Sequence, residues 1–189
     1  MGPHIYQNIE GWFFHPNLYA KMVENCDPRG TLVEIGVWKG KSLSYLCVEA
    51  GKKSPDISVV GIDTWQGSRE HQNDTSVVQN TLFEEFSRNI SPVASSLSVM
   101  KMPSLEAVGQ FSDRSLDGVF IDGSHEYEDV KNDILAWAPK VRPGGILAGH
   151  DYVFFWPGVI RAVNEMFPSI FNPQGTRAET GEFCWAVVM

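Results

Sequence analysis

The sequence predicts an α/β fold, a mostly parallel β-sheet with helices on both faces. Two observations carry this. Apolar runs of strand length recur at 32–36, 57–63, 96–102, 116–122 and 146–151, and segments with helical spacing separate them, the alternation expected of parallel strands joined by crossover helices. The first, second and fourth runs also carry an acid at or near their ends, Glu34, Asp63 and Asp122, where ligands bind in open α/β sheets.

Taken in order, residues 4–28 are rich in aromatics, including Tyr6, Trp12, Phe13, Phe14 and Tyr19. His15-Pro16-Asn17 reads as a turn into a helix bearing Leu18, Met22 and Val23, and Asp27-Pro28-Arg29-Gly30 stops it. Residues 1–30 are therefore expected to form a helical, aromatic N-terminal cap on a single domain covering 1–189. After the first strand and the turn Gly36-Val37-Trp38-Lys39-Gly40, Leu43, Leu46, Cys47 and Ala50 recur at helical spacing, with Gly51 as the expected stop. Cys47 is thus read as core. Residues 64–80 are too polar for a core and follow a ligand-binding strand end, which predicts a mobile lid. Residues 81–90 read as a helix with Leu82, Phe83 and Phe86 inward, and Pro103-Ser104 opens a short helix carrying Leu105 and Val108.

Beyond the fourth strand, Gly123-Ser124-His125 turns the chain. Ser124 is a good N-cap, and Glu126, Glu128 and Asp129 favour the positive end of the helix that follows. Tyr127, Val130, Ile134 and Trp137 share a face of it. Pro139 ends that helix, and Arg142-Pro143-Gly144-Gly145 reads as a turn into the fifth strand. Pro157 and Pro168 bracket a last helix over 159–167, and 183–188 reads as a buried strand.

Strand, glycine turn, helix and a second strand ending in an acid make the first βαβ unit of a nucleotide-cofactor fold. Asp63 falls about 20 residues past the turn, the usual offset of a ribose-binding carboxylate. A dinucleotide requires Gly-x-Gly-x-x-Gly so that its pyrophosphate reaches bare backbone at the helix N-terminus. Here Val37, Trp38 and Lys39 fill the turn, and Glu34 places a negative charge beside it. That charge would repel a phosphate but suits a cationic ligand such as the amino group of S-adenosylmethionine, which has a ribose for Asp63 and no phosphate. The turn therefore favours S-adenosylmethionine over NAD. A tight strand–helix connection would by itself also account for the glycines.

Composition bounds the rest. The 189 residues, 43% of them hydrophobic, suffice for one domain with a substantial core. No apolar run approaches the roughly 20 residues of a membrane span, and the N-terminus lacks the charged and apolar regions of a signal peptide. Cys26, Cys47 and Cys184 are few and widely spaced, indicating neither a disulfide framework nor a zinc site. The expected compartment is the cytoplasm, with no membrane partner. A net charge of −8 argues against a nucleic-acid surface.

Three pieces together carry a more specific signal: Val33-Glu34-Ile35-Gly36-Val37-Trp38-Lys39-Gly40-Lys41-Ser42, then Gly61-Ile62-Asp63, then Ile121-Asp122-Gly123-Ser124-His125-Glu126-Tyr127 running on to Pro143-Gly144-Gly145 and Gly149-His150-Asp151-Tyr152. This combination resembles the class I S-adenosylmethionine-dependent methyltransferases, most closely a small family grouped with macrocin-type sugar O-methyltransferases. The resemblance implies a Rossmann-like sheet of seven strands, six parallel and an antiparallel last one, which 183–188 would supply. It also implies that Glu34, Gly36 and Gly40 surround the methionine part of the cofactor, that Ser42 adds a contact at the helix start, and that Asp63 binds the ribose. Trp65 and Ser104 lie where adenine contacts are expected, and Asp122 would face the methionine amino group or the reacting centre. For Gly40 and Ser42, shaping or capping the helix is the plainer alternative.

Methyl transfer to a hydroxyl needs donor and acceptor in line and a base for the acceptor proton. His125, beside Asp122, is the natural base. An imidazole of pKa about 6.5 is far from the value near 15.7 of an unactivated hydroxyl, so the base acts in the transition state or a metal assists. Asp122, His150 and Asp151 are the candidate metal ligands; relatives of the catechol and macrocin type hold magnesium with acids after these strands, whereas His150 stands here where an acid is usual. His4, His15 and His71 have no motif around them and read as surface or packing residues. The aromatic run Tyr152-Val153-Phe154-Phe155-Trp156 should border either an acceptor pocket or a homo-oligomer interface. The function expected is O-methylation of a small molecule, such as a sugar or glycan, with S-adenosylmethionine and a possible Mg2+ or other divalent cation. The rivals are an NAD-dependent oxidoreductase and a cofactor-binding protein without catalysis.

Overall fold

The computed structural model describes residues 3–168 and 183–189. Among them six strands form one sheet in the order β3-β2-β1-β4-β5-β6: β1 (Thr31–Ile35), β2 (Ser58–Asp63), β3 (Leu97–Lys101), β4 (Leu116–Ile121), β5 (Val141–Gly149) and β6 (Trp185–Val188). The first five are parallel, and β6 runs antiparallel to β5. The helices are α1 (Pro16–Asn25), α2 (Lys41–Lys53), α3 (Thr75–Val78), α4 (Leu82–Ile90), α5 (Ser104–Ala107), α6 (Tyr127–Trp137) and α7 (Pro157–Met166).

Alternation along the strands divides the core into two layers. Leu32, Val59, Phe120 and Ala148 face α1, α2 and α4, where Tyr19, Met22, Leu43, Leu46 and Phe86 are buried. Val33, Val60, Val119 and Leu147 face the other way, onto Ala107, Ile134, Trp137 and Val163 of α5, α6 and α7. Each buried Val, Leu, Ile, Phe or Met side chain contributes about 1.5–3 kcal/mol, and both faces of the central strands are covered, as a parallel sheet requires. Ile35 pairs in register with both Ile62 and Ile121. The residues just beyond, Gly36, Asp63 and Asp122, therefore arrive together at one edge, where the strand order reverses between β1 and β4.

Four expectations are corrected. The sheet has six strands among the described residues, not seven, and the last of them, Trp185–Val188, pairs directly with β5, Gly149 opposite Trp185. Helix α2 runs through Gly51 to Lys53 and stops at Ser54, which is extended (ψ 134°) because Pro55 follows it. Ser124 does not cap α6: the helix starts three residues later, at Tyr127 with Glu126 in the capping place, and Ser124 Oγ instead donates to Asp129 Oδ2 (2.8 Å). Arg142-Pro143-Gly144-Gly145 lies within β5 rather than before it. Pairing with β4 jumps from Leu116–Val141 to Gly118–Ile146, so the turn is a bulge, with Gly144 at φ +78°.

Candidate active site

A cleft of about 1040 Å³ opens across the C-terminal ends of the strands. Of the residues singled out from sequence, Gly36, Ser42, Asp63, Ser104, Asp122, His125, His150 and Asp151 line it. Glu34, Gly40 and Trp65 do not border it.

The turn after β1 is built around Asp63. Its Oδ2 accepts from the backbone N–H of Val37 (2.7 Å) and Trp38 (2.8 Å), and Oδ1 accepts from that of Trp65 (2.8 Å). With one hydrogen bond on Oδ1, that oxygen keeps acceptor capacity, and Asp63 lines the cleft. Gly36 has φ +83°, and a Cβ there would sit 2.0 Å from the Asp122 carbonyl oxygen, so only glycine lets β1 and β4 end this close. Gly40 has φ +88° and lies against Phe86, which makes it a packing position. Trp65 is turned into the core, on Phe83 and Phe86, and its Nε1 donates to the Trp38 carbonyl (2.9 Å). Trp65 is thereby kept from the cleft.

Glu34 is fully buried on the α1 side of β1 and accepts from Ser42 Oγ through Oε1 (2.6 Å). Burial pushes its carboxyl up to about 8 against the opposing effect of that hydrogen bond. At neutral pH it is mostly protonated, so the negative charge expected beside the turn is absent. What hinders a pyrophosphate is the filled turn itself: Trp38 sits at φ 52° with its ring stacked on His71 (3.9 Å).

At the other end of the cleft, His125 Nε2 pairs with Asp151 Oδ2 at 2.7 Å, rather than with Asp122, and the imidazole stacks on Trp156 (3.9 Å between centroids). Asp151 adopts φ 60°, a left-handed position that Asp tolerates; a pair bonding at this bend is what its strain supports. His150 Nδ1 lies 3.3 Å from Asp151 Oδ2 and 3.6 Å from Asp122 Oδ1. Burial opposes charge on His150, but its bonds to Asp122 and Asp151 prevail and push it up to about 10. Burial likewise opposes charge on Asp151, yet hydrogen bonds from His125 and His150 hold it well below the usual carboxylate range. An imidazolium thus sits between the two acids.

Further side chains enter that the sequence reading passed over. Asp133 lines the cleft and accepts from Ser104 Oγ (2.6 Å), which in turn accepts from Trp137 Nε1 (2.7 Å); burial pushes this carboxyl up to about 6. A signal was present: Asp133 occupies the i+3 place in the stripe Val130, Ile134, Trp137. His15 is 1% exposed, stacked on Phe120 and 5.1 Å from the His150 ring. It carries no such signal, because only the fold brings it to the strand ends. Trp12, Phe14, Phe154, Phe155 and Phe183 are all more than half exposed, and all line the cleft.

A family model described as a methyltransferase domain matches residues 33–152. Among curated proteins, an uncharacterized protein of Sinorhizobium fredii (strain NBRC 101917 / NGR234) is 28% identical over 79% of this chain, which spans 16% of that protein's length. An uncharacterized protein of Acanthamoeba polyphaga mimivirus is 30% identical, covering 88% of this chain and 74% of its own. Among solved structures, the O-methyltransferase NovP aligns with a TM-score of 0.63 at 21% identity, over 82% of this chain and 71% of its own. A TDP-rhamnose 3′-O-methyltransferase of calicheamicin biosynthesis aligns with a TM-score of 0.54 at 17% identity, over 80% and 67%. Among the described residues no helix is long and apolar enough to cross a membrane.

Proposed function

The chain belongs to the methyltransferase domain family, and from that premise we propose that it is an S-adenosylmethionine-dependent O-methyltransferase whose acceptor is a small, ring-bearing molecule such as a sugar. The observation that carries this reading is the His125–Asp151 pair at 2.7 Å, set among exposed aromatic side chains on the same cleft as Asp63 and Asp122. The two solved O-methyltransferases of like fold, one of them acting on a TDP-sugar, support the choice of a hydroxyl acceptor.

Bound S-adenosylmethionine supplies an electrophilic methyl group on a sulfonium. In this reading Gly36, Val37, Trp38 and Ser42 border its methionine part, with Asp122 toward the ammonium. Asp63 offers the remaining acceptor capacity of Oδ1 to the ribose, and Met102, Ser104 and Asp133 border the base. His125 takes the acceptor proton as the oxygen attacks; a positioned base of this kind contributes about 10²–10⁴-fold. Asp151 fixes the ring and stabilises the imidazolium that forms. The aromatic walls, Trp156 among them, hold a ring flat and so set its hydroxyl in line.

A divalent cation at Asp122, His150 and Asp151 fits poorly. Their donor atoms do lie within 4.8 Å of one another. Magnesium, however, prefers an octahedron of oxygens, and Asp151 Oδ2 is already shared by His125 and His150. His150 brings the positive charge instead, and no step here runs through a metal at this place.

The test joins calorimetry with S-adenosylhomocysteine to methyl transfer from a labelled donor across a panel of sugars and phenols. Binding that Asp63→Ala weakens at least tenfold is expected, together with transfer that added magnesium does not raise. Tight NAD binding without response to S-adenosylhomocysteine would sink the cofactor reading. Cofactor binding without transfer to any ring hydroxyl would leave a non-catalytic binding protein.

A further inference from the structure

Below the cleft, on the α1 side of the sheet, the fold gathers polar atoms from three distant stretches of chain. His15 precedes α1, His150 follows β5, and Cys184 precedes β6. One donor atom from each lies within 4.8 Å of the other two. His15 is 1% exposed and Cys184 2%, so the place is sealed from solvent. Both ring nitrogens of His15 and Nε2 of His150 are buried without a hydrogen-bond partner. Leaving such atoms unsatisfied costs about 1–3 kcal/mol each, so their convergence calls for a ligand.

Chemistry narrows the ligand. Two imidazoles and a thiol are the donor set of zinc and similar borderline cations, not of magnesium or calcium. Zinc bonds of about 2.0 Å to nitrogen and 2.3 Å to sulfur place ligand atoms up to roughly 4 Å apart, within reach of small side-chain rotations here. The second ring nitrogen of His150 is also oriented as in a metal-bound histidine: Nδ1 faces Asp151 Oδ2 at 3.3 Å and Asp122 Oδ1 at 3.6 Å, and metal-ligating histidines characteristically give their other N–H to a carboxylate.

We infer that His15, His150 and Cys184 form a buried binding site for a zinc-type cation, adjoining the catalytic cleft through His150. The cation takes the Nε2 position of His150 while Nδ1–H stays on the carboxylates, so positive charge beside Asp122 and Asp151 is kept. It ties the N-terminal segment and the C-terminal strand to the strand end that carries Asp151. The three ligands are scattered over most of the chain, which is why cysteine spacing gives no sign of the site.

The probe is cobalt(II), added to the full chain after chelation and buffer exchange, with absorption spectroscopy and metal analysis as readouts. Expected are one cobalt per chain, a thiolate-to-cobalt charge-transfer band, and loss of that band on adding zinc. Cys184→Ser and His15→Asn should each abolish the band, whereas Cys47→Ser, at a buried thiol elsewhere, should keep it. Circular dichroism confirms that each variant is folded, and if one ligand variant is not, the other decides. A folded wild-type chain that takes up no cobalt or shows no charge-transfer band overturns the site, as does a band that persists in Cys184→Ser.

Discussion

Glu34 and Asp63 stand at the ends of adjacent strands, and burial gives them opposite characters. Asp63 remains at the cleft with three backbone N–H groups on it, whereas Glu34 is sealed under the turn and raised to about 8. A carboxyl raised on folding is protonated in the native state and ionised in the unfolded one between about pH 4.5 and 8. Stability from Glu34 is therefore present below that window and lost as pH rises through it. Glu34→Gln keeps the bond to Ser42 and removes the titration, so in thermal melts the variant should match wild type near pH 4.5 and exceed it at pH 8. A wild-type advantage that grows toward pH 8 would show that Glu34 is ionised in the fold. At the reacting end, Asp151→Asn should lower the methyl-transfer rate about 10²–10⁴-fold and shift the acid limb of the pH–rate profile. Affinity for S-adenosylhomocysteine should change little, which separates orientation of His125 from damage to the cofactor half. The strand-end acids were legible because backbone position alone brings them to the cleft. The partner of His125 was not: Asp122 is nearer in sequence, and the left-handed turn at Asp151 decides the pairing. Trp65 failed for a similar reason, since a hydrophobic pocket between Phe83 and Phe86 outweighs proximity to the cofactor end.

Among elements, those with a clear period were legible and those shaped by single contacts were not. Helices α1, α2, α4 and α6 follow their apolar stripes, while the stop of α2 and the bulge in β5 turn on one proline and one register jump. Residues 64–80, expected as a lid, contain a 3₁₀ turn at Arg69–His71 and the short helix α3. Trp65 anchors their start in the core, and two further contacts hold the rest. His71 stacks on Trp38, and Lys39, 4% exposed, lies 2.9 Å from Glu10, 3.5 Å from Asp74 and 3.3 Å from Glu85. Lys39 thereby joins the N-terminal segment, the 64–80 segment and α4 next to the cleft. With few buried contacts beyond Trp65, this segment should open ahead of the sheet. Hydrogen exchange in 64–80 should slow when S-adenosylhomocysteine is added, and Lys39→Met should speed it in the free protein. The acids left behind keep access to water, so loss of the ion pairs should itself cost only about 0.2–1 kcal/mol. Strong protection that is equal with and without ligand would make the segment ordinary packed structure.

At the scale of the whole molecule, one sheet separates two apolar layers, and both end at the same strand tips. The parallel α/β class was legible because alternating apolar runs and helices leave few other arrangements, whereas the antiparallel last strand was implied only by the family resemblance. That edge strand supports the site from behind. Trp185 is 1% exposed and packs against Gly149, where an added Cβ would come within 2.6 Å of its indole nitrogen; Gly149 leads directly into His150 and Asp151. If the two layers share this sheet as one cooperative unit, removing the anchor should be felt everywhere. Trp185→Ala should cost about 3–5 kcal/mol, lowering the melting temperature equally by far-UV and near-UV circular dichroism in a single transition. It should also leave the edge of β5 open to pairing between chains, seen as aggregation on heating. Two separate transitions, with the Tyr19 and Phe86 layer surviving loss of the Trp137 layer, would show instead that the layers fold independently and that the last strand steadies only its own side.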